Sequence, residues 1–386
     1  MKKLNYLEGL RGIAALMVVL YHFFAIFYPV ITTGPSTGPS HAKLLERLFY
    51  GLPLGFIQNG SFAVVIFFLL SGFVLSYNYF SKKSNKQLIN QSLKRYIRLA
   101  IPVFVSVMVG YTLLYLGLFR NQEVAILTGS IHFAPLWNFE PNLAVALYTG
   151  IIGVFTSGTV EYNPVLWTMS IELVGSFLVF LFLALFGKYS HRWIFYAFAL
   201  IFTWNQFFGA FILGIIICDM YTSPVFNRIQ EILKRPSSVL LLFMLVVLGG
   251  SVPAFSADLG MVKYSQIFTP YVSPESASFV WHCIAAIAIL LLVLTVKRLQ
   301  LILGSRLFTF FGKISFGVYV LHYFVYATIT SYIFLRLYQR MPYWGVTLLC
   351  FIISVPIIIL ISAAWTHLVD RRAIFLSRQF AKRFTD

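Results

Sequence analysis

Charge is scarce in this chain, and acidic charge is the scarcest. Charged residues make up 11% of 386 residues, and only 12 of them are Asp or Glu, whereas an average soluble domain is about 25% charged. The three cysteines each lie inside an apolar run and form no CxxC pair, which excludes a disulfide scaffold and favours buried thiols. No HExxH, GxSxG or Walker motif is present, and the histidines lack metal-ligand spacing, so no metal site is expected.

Apolar and aromatic residues are abundant instead. Hydrophobic types account for 59% of the chain, which contains 40 Phe and 22 Tyr, and the mean hydropathy is +0.84. These values exclude a soluble globular enzyme and a disordered chain. They are typical of a polytopic membrane protein with aromatic belts at the two interfaces.

Ten apolar segments are predicted to cross the bilayer, since a spanning helix needs about 20 mostly apolar residues. They cover residues 10–29, 60–80, 99–119, 165–187, 193–204, 206–222, 237–254, 278–296, 311–335 and 343–367. A shorter apolar segment, 142–157, has both flanks on one side of the membrane, which favours a re-entrant or interfacial helix. The predicted fold is therefore an all-α membrane helix bundle of about ten spans.

Basic residues are distributed unevenly between the two sets of loops. The set that includes both termini holds 21 of the 29 Lys and Arg residues, and the opposite set holds 6. Because positive charge concentrates in cytoplasmic loops, both termini are predicted to be cytoplasmic. The net charge of +17 then indicates membrane lipids as a partner and no nucleic acid. We divide the chain into a membrane domain, 1–370, and a basic amphipathic tail, 371–386, which is expected to lie on the inner membrane surface.

Ionisable groups inside a span are expensive, so each of them is a functional hypothesis. Arg11 and His22 are eleven residues apart on one predicted helix. Eleven residues return a helix to within about 20° of the same face, about 16 Å further along its axis. The two side chains therefore point the same way, with Arg11 near the cytoplasmic mouth and His22 deeper. Snorkelling of Arg11 and a simple interhelical hydrogen bond of His22 are the structural alternatives.

A second cluster of charge stands where the third span begins. Arg95 and Arg98 are neighbours at i and i+3 on a helix. Two guanidinium groups at an apolar mouth suit a phosphate-bearing ligand, because Arg binds phosphate bidentately. Ordinary positive-inside anchoring is the alternative interpretation.

Later spans carry polar groups that also require partners. Glu172 lies about five residues into its span from the outer side. His22 or His322 is its expected partner, and a structural pair with an Arg or a Tyr is the alternative. Ser315, Tyr319 and His322 share one helix face, which is predicted to point into a cavity. Ser71 precedes a glycine in an aromatic helix, which permits close approach of a ligand.

Taken together, these motifs resemble the acyltransferase-3 family of integral membrane O-acyltransferases. The first-helix signature of that family, an Arg and a His separated by ten residues, matches this chain closely, although Glu8 replaces the usual Asp. The resemblance extends from about residue 4 to 370. The matching segments are Leu7–His22, Phe67–Phe73, Arg95–Pro102, Trp167–Glu172 and Ser315–His322.

The resemblance implies an enzyme of the bacterial inner membrane. It would move an acyl group, usually acetyl, from cytoplasmic acyl-coenzyme A to a hydroxyl on the far side, such as one on O-antigen, capsule or exopolysaccharide. Arg11, Arg95 and Arg98 would hold the phosphates of acetyl-CoA, with Ser71 also on the donor path. The chain would be the stand-alone form, without an added esterase-like domain.

The chemistry is expected at His22, as a general base on the acceptor hydroxyl or as the group that first takes the acyl chain. Glu172 is expected to orient or charge-stabilise the imidazole. Tyr319 and His322 are expected on the donor path or as donors to the developing oxyanion. The exact acceptor, the acyl chain length and the oligomeric state are left open.

Two rival functions use the same polar residues. A transporter of a lipid-linked sugar or small anion would also need buried Arg, His and Glu, although the inverted repeats typical of such proteins are absent from the sequence. A non-catalytic scaffold or sensor would tolerate loss of His22. The alignment of Arg11 with His22 argues against the scaffold.

Overall fold

A computed structural model describes residues 4–34, 38–50, 54–82, 85–253, 266–268 and 271–385. Within these ranges the chain forms helices and no strand, which confirms the predicted all-α fold. The π-helical segments Tyr326–Thr330 and Thr366–Asp370 follow the long helices that end at Val325 and Trp365, and Thr149–Gly153 joins two short helices. A 3-10 turn, Pro164–Leu166, precedes a span.

The α-helices of the described residues are labelled in chain order. They are α1 (Asn5–Phe27), α2 (Val30–Thr33), α3 (Lys43–Phe49), α4 (Gly55–Gln58), α5 (Gly60–Lys82), α6 (Asn85–Tyr115), α7 (Asn121–Thr128), α8 (Leu143–Tyr148), α9 (Val154–Thr156), α10 (Trp167–Phe186), α11 (Arg192–Thr203), α12 (Phe207–Thr222), α13 (Val225–Leu233), α14 (Pro236–Gly250), α15 (Pro274–Thr295), α16 (Lys297–Leu303), α17 (Arg306–Val325), α18 (Ser331–Leu337), α19 (Tyr343–Trp365) and α20 (Arg371–Thr385).

Seven helices in the described ranges are long and apolar enough to cross a bilayer. The count rises to eight if Phe207–Thr222 and Val225–Leu233, which bend by 101° at their junction, form one broken span. The predicted spans 193–204 and 237–254 correspond to α11 and α14, which are shorter apolar helices. The chain is therefore an integral membrane helix bundle, but helix length does not confirm the count of ten. The predicted re-entrant segment forms the short apolar stretch Leu143–Thr156.

The helices α1 and α17 lie in extensive contact with each other. Glycines make this possible: a Cβ atom on Gly12 would lie 2.6 Å from the backbone nitrogen of Gly312, and one on Gly312 would overlap the Glu8 carbonyl. Small residues at such points let two membrane helices approach closely. We call the side of the bundle where α1 begins the near side, and the side where it ends the far side.

The C-terminal helix continues from α19 through the π segment Thr366–Asp370 and lies against the near end of α6. Residues Ala373, Ser377 and Ala381 are buried and repeat every four residues, so they form one narrow face of α20. This helix packs against α6. The predicted amphipathic tail is thus a helix that contacts the bundle.

Candidate functional site

A cavity of about 390 Å³ lies in the near half of the bundle. Its walls come from α1, α5, α6, α10 and α17. The π segment Thr366–Asp370 and the first turn of α20 complete them. Apolar side chains such as Phe67, Leu99 and Phe316 supply much of the surface. The charged lining residues are Glu8, Arg11, Arg95, Arg98, Glu172, Lys313, Asp370 and Arg371.

Four of the lining cations make no hydrogen bond and no close ion pair with any residue of the described ranges. They are Arg11, Arg98, Lys313 and Arg371. Three of them, Arg98, Lys313 and Arg371, are exposed side chains at the near-side mouth of the cavity. A cation that forms no ion pair with a protein carboxylate is available to bind an anionic ligand.

Arg95 has a different environment. Its guanidinium is paired with the Glu172 carboxylate, and its Nε donates to Ser176 Oγ at 2.7 Å. Ser71 Oγ donates to the same Glu172 oxygen at 2.8 Å. Glu172 therefore forms the structural pair with an Arg that was the alternative to the expected histidine partner, because α6 and α10 lie side by side and bring a guanidinium to the carboxylate. No hydrogen bond joins Glu172 to an imidazole among the described residues, so a role for Glu172 beside the imidazole stays a prediction.

Tyr319 closes the deep end of the cavity. Its hydroxyl donates to the Val165 carbonyl at 2.7 Å and lies 2.9 Å from Thr168 Oγ1, which can donate back to it. Tyr319 and Thr168 both line the cavity, and the Tyr319 ring lies 6.3 Å from that of His322. The single hydroxyl proton of Tyr319 is used by Val165 in this arrangement, so it is not free for an oxyanion.

His22 and His322 form a hydrogen-bonded pair one helical turn beyond Tyr319. His322 Nε2 lies 2.9 Å from His22 Nδ1, and the ring centroids are 4.9 Å apart. His322 is completely buried, whereas His22 is only half-buried. The alignment of Arg11 with His22 on α1 thus places one residue at the cavity and the other at this pair.

The backbone determines which ring nitrogens carry protons in the neutral pair. His322 Nδ1 lies 2.9 Å from the Val318 carbonyl, and a carbonyl only accepts, so Nδ1 is protonated and Nε2 is an acceptor. His22 Nδ1 then donates to His322 Nε2, and it also lies 3.0 Å from the Val18 carbonyl. His22 Nε2 is left with the lone pair. His322 has no spare proton for an oxyanion in this state.

Aromatic rings surround the histidine pair. Tyr323 and Tyr21 stand edge-on to His22, with centroids 4.5 and 5.0 Å away. Trp137 lies 6.1 Å from Tyr323 and donates its indole N–H to the Tyr162 carbonyl. Its φ of 53° is unusual for a bulky residue, so the loop holds this indole in place at a backbone cost of about 1–3 kcal/mol. The pair therefore occupies an environment of low polarity.

The structure brings most of the predicted site residues into two groups. Six of the eight, Ser71, Arg11, Arg95, Arg98, Glu172 and Tyr319, line the cavity. His22 and His322 form the separate pair beyond it. Sequence reasoning gave no role to Lys313 and placed Arg371 in the tail. Among the described residues no cluster of three or more His, Cys, Asp or Glu side chains could hold a metal.

These features define an integral membrane protein with a cationic cavity on one side of a buried histidine pair. A family model for an acyltransferase domain matches residues 4–363, nearly the whole chain. The chain belongs to the acyltransferase-3 family and is a membrane acyltransferase. No curated protein and no solved structure matches it.

Proposed function

We propose that this protein transfers an acetyl group from acyl-coenzyme A to a hydroxyl of an extracytoplasmic glycan. The near side of the bundle is then the cytoplasm, in keeping with its excess of Lys and Arg, and the far side faces the glycan. The observation that carries the proposal is the cavity, in which Arg11, Arg98 and Lys313 have no hydrogen-bonded carboxylate partner among the described residues. The glycan acceptor is supported by the family resemblance alone.

The shape and charge of the cavity suit coenzyme A. The phosphates lie at one end of this molecule and the thioester at the other, joined by the thin pantetheine arm. The cavity is cationic at its mouth and is lined by Phe67 and Tyr319 at its deep end. A thioester there lies three residues along α17 from His322, about 4.5 Å in axial rise. Glu172 serves in this scheme to hold Arg95 in place rather than to touch the substrate.

His22 supplies the base. Its Nε2 takes the proton of the acceptor hydroxyl as the hydroxyl oxygen attacks the thioester carbonyl. The C–O bond forms, the C–S bond breaks, and the proton passes from Nε2 to the leaving thiolate, which gives an ester and free coenzyme A. The neutral His322 accepts from His22 Nδ1 throughout and so holds the ring in the tautomer that this step needs.

The test uses membranes that contain wild type or His22→Ala, supplied with acetyl-labelled coenzyme A, and follows label into protein and extractable glycan. Loss of the base is expected to reduce label in glycan about 100- to 10,000-fold. His367→Ala is the matched control, because His367 is exposed and does not line the cavity. It is expected to retain wild-type transfer.

Three outcomes would contradict parts of the proposal. Full transfer by a well-expressed His22→Ala protein would remove the catalytic role. Label held covalently by His22 before it reaches glycan would replace the base with an acyl-histidine route. Absence of thioester consumption by wild type, with a broad acceptor pool present, would favour transport or a different donor.

A further inference from the structure

The first turn of α20 forms part of the cavity wall. Asp370, Arg371 and Ile374 all line the cavity, although they lie after residue 363, where the family match ends. The match therefore says nothing about them. They are brought there because the small buried face of α20 packs on α6, the helix that carries Arg95 and Arg98.

Arg371 lies nearest the mouth of the cavity. Gly317 and Ser362 stand at the same depth, since a Cβ on Gly317 would be 3.0 Å from the Ser362 carbonyl oxygen. Lys313 is four residues from Gly317, or about 6 Å toward the near side, and Arg371 is nine residues from Ser362, or about 13 Å. Arg371 is thus about 7 Å closer to the near side than Lys313. Arg11 lies at the level of Lys313, because its neighbour Gly12 touches Gly312.

Two levels of cations correspond to two groups of phosphates. Counted from its thiol, coenzyme A presents first a pyrophosphate and then a ribose 3′-phosphate beside adenine. With the thioester near Tyr319, the pantetheine arm leads toward the near side, and the pyrophosphate is expected at the level of Arg11 and Lys313. The 3′-phosphate falls further out, where Arg371 makes no hydrogen bond or ion pair with any described residue.

We propose that Arg371, on the C-terminal helix, binds the 3′-phosphate of the donor and selects the phosphorylated coenzyme over its 3′-dephospho form. This inference rests on the proposed function. Arg is suited to the task because its planar guanidinium binds phosphate through two parallel hydrogen bonds. Ile374, half-buried and one turn further along the same helix face, offers an apolar surface to the adenine.

The experiment measures binding of acetyl-coenzyme A and of 3′-dephospho-acetyl-coenzyme A by calorimetry. It uses the full chain in nanodiscs of phosphatidylcholine, so that no anionic lipid competes for the helix. Wild type is expected to bind the 3′-phosphorylated form about tenfold more tightly, the size of one charge-assisted contact. Arg371→Ala is expected to bind both forms with nearly equal affinity. Arg372→Ala is the matched control, because Arg372 is equally exposed on the same helix but does not line the cavity.

The possible results separate this inference from the proposed function. Discrimination that disappears in Arg371→Ala and persists in Arg372→Ala supports the assignment. Discrimination that survives in Arg371→Ala, or that disappears equally in both variants, overturns it while the donor class stands. Equal binding of both forms by wild type also overturns this inference, while the proposed function stands. Wild type that binds neither form overturns the coenzyme A donor itself, and this inference with it.

Discussion

The two ends of the α1–α17 pair differ sharply in chemistry. At the near end, close glycine packing leaves Arg11 and Lys313 beside a cavity that opens among charged groups. Toward the far end, the same two helices present His22 and His322 to each other among aromatic rings. The near end holds cations that make few ion pairs with the described carboxylates. The far end holds a hydrogen-bonded imidazole pair whose two Nδ1 atoms face backbone carbonyls.

Under the proposed function, this difference separates donor binding from chemistry along one pair of helices. Charged phosphates need cations and access to water, whereas a general base works best where water is excluded and its tautomer is set in advance. Tyr319 stands between the two regions with its hydroxyl held by Val165 and Thr168. Variants at the two ends should therefore fail in different ways, and a variant in the shared helix contact should remove both functions together.

The largest effect is expected from Gly312→Val. The new Cβ would overlap the Glu8 carbonyl, and backbone cannot move aside as a flexible side chain can. Overpacking of this kind costs about 1–3 kcal/mol or more, a large fraction of a typical stability of about 5–15 kcal/mol. Thermal unfolding followed by size-exclusion chromatography should show a lower Tm and little monodisperse protein, with donor binding and transfer lost together.

Gly345→Val is the control for that substitution. Gly345 also lies in a helix, but its nearest neighbours, Met341 Cε and Pro342 Cδ, are 3.6 and 3.9 Å from the position of a Cβ. The control is expected to keep the wild-type Tm. A Gly312→Val protein as stable as wild type would show that the close α1–α17 contact does not join the two regions.

The next largest effect concerns the histidine pair. His322→Phe removes the acceptor for His22 Nδ1, so the ring loses its fixed tautomer. Transfer at saturating donor should fall about 100-fold, or about 2.7 kcal/mol of transition-state stabilisation, while the Kd for acetyl-coenzyme A stays unchanged. His322→Gln should recover part of the rate, because its amide oxygen can accept the same proton. Rates and calorimetric affinities on the same preparations check both expectations.

Tyr326→Phe is the matched control for the histidine variants. Tyr326 is completely buried one turn after His322, and its hydroxyl donates to the Val19 carbonyl at 2.9 Å. The variant removes one hydrogen bond between the same two helices without touching either imidazole. Equal loss of transfer in Tyr326→Phe and His322→Phe, with no recovery in His322→Gln, would assign His322 to packing alone.

Much of this architecture could be predicted from the chain itself. Apolar runs of span length and the uneven basic residues indicated the membrane bundle, and helix periodicity placed Arg11 and His22 on one face of α1. Periodicity also placed Tyr319 and His322 on one face of α17. These are local properties of one helix, which sequence spacing records directly.

Contacts between helices could not be predicted in the same way. Glu172 was expected beside a histidine, yet the packing of α10 against α6 brings Arg95 to it. The interpretation of Arg371 as part of a surface tail missed the cavity, because nothing in the local pattern shows that α20, which continues from α19, packs against α6. Hydropathy likewise does not determine whether short helices such as α11 cross the bilayer.

The smallest effect is expected at the near end, from Arg98→Ala. Arg98 lines the cavity and makes no hydrogen bond or ion pair with a described residue, so its loss leaves no buried carboxylate unpaired and the fold should tolerate it. One charge-assisted contact to phosphate is lost, which should raise the Kd for acetyl-coenzyme A about tenfold. Transfer at saturating donor should remain within about twofold of wild type, because the histidine pair is untouched.

The salt dependence of binding and a control variant at Lys94 make this test more specific. Affinity for acetyl-coenzyme A should weaken with added salt in wild type, and less steeply in Arg98→Ala, because exposed charges are screened. Lys94→Ala is the control, since Lys94 lies one turn earlier on α6 and does not line the cavity. If Arg98→Ala instead slowed transfer at saturating donor and left affinity unchanged, its cation would act on the reacting end of the substrate. The division between a binding end and a chemical end of the α1–α17 pair would then fail.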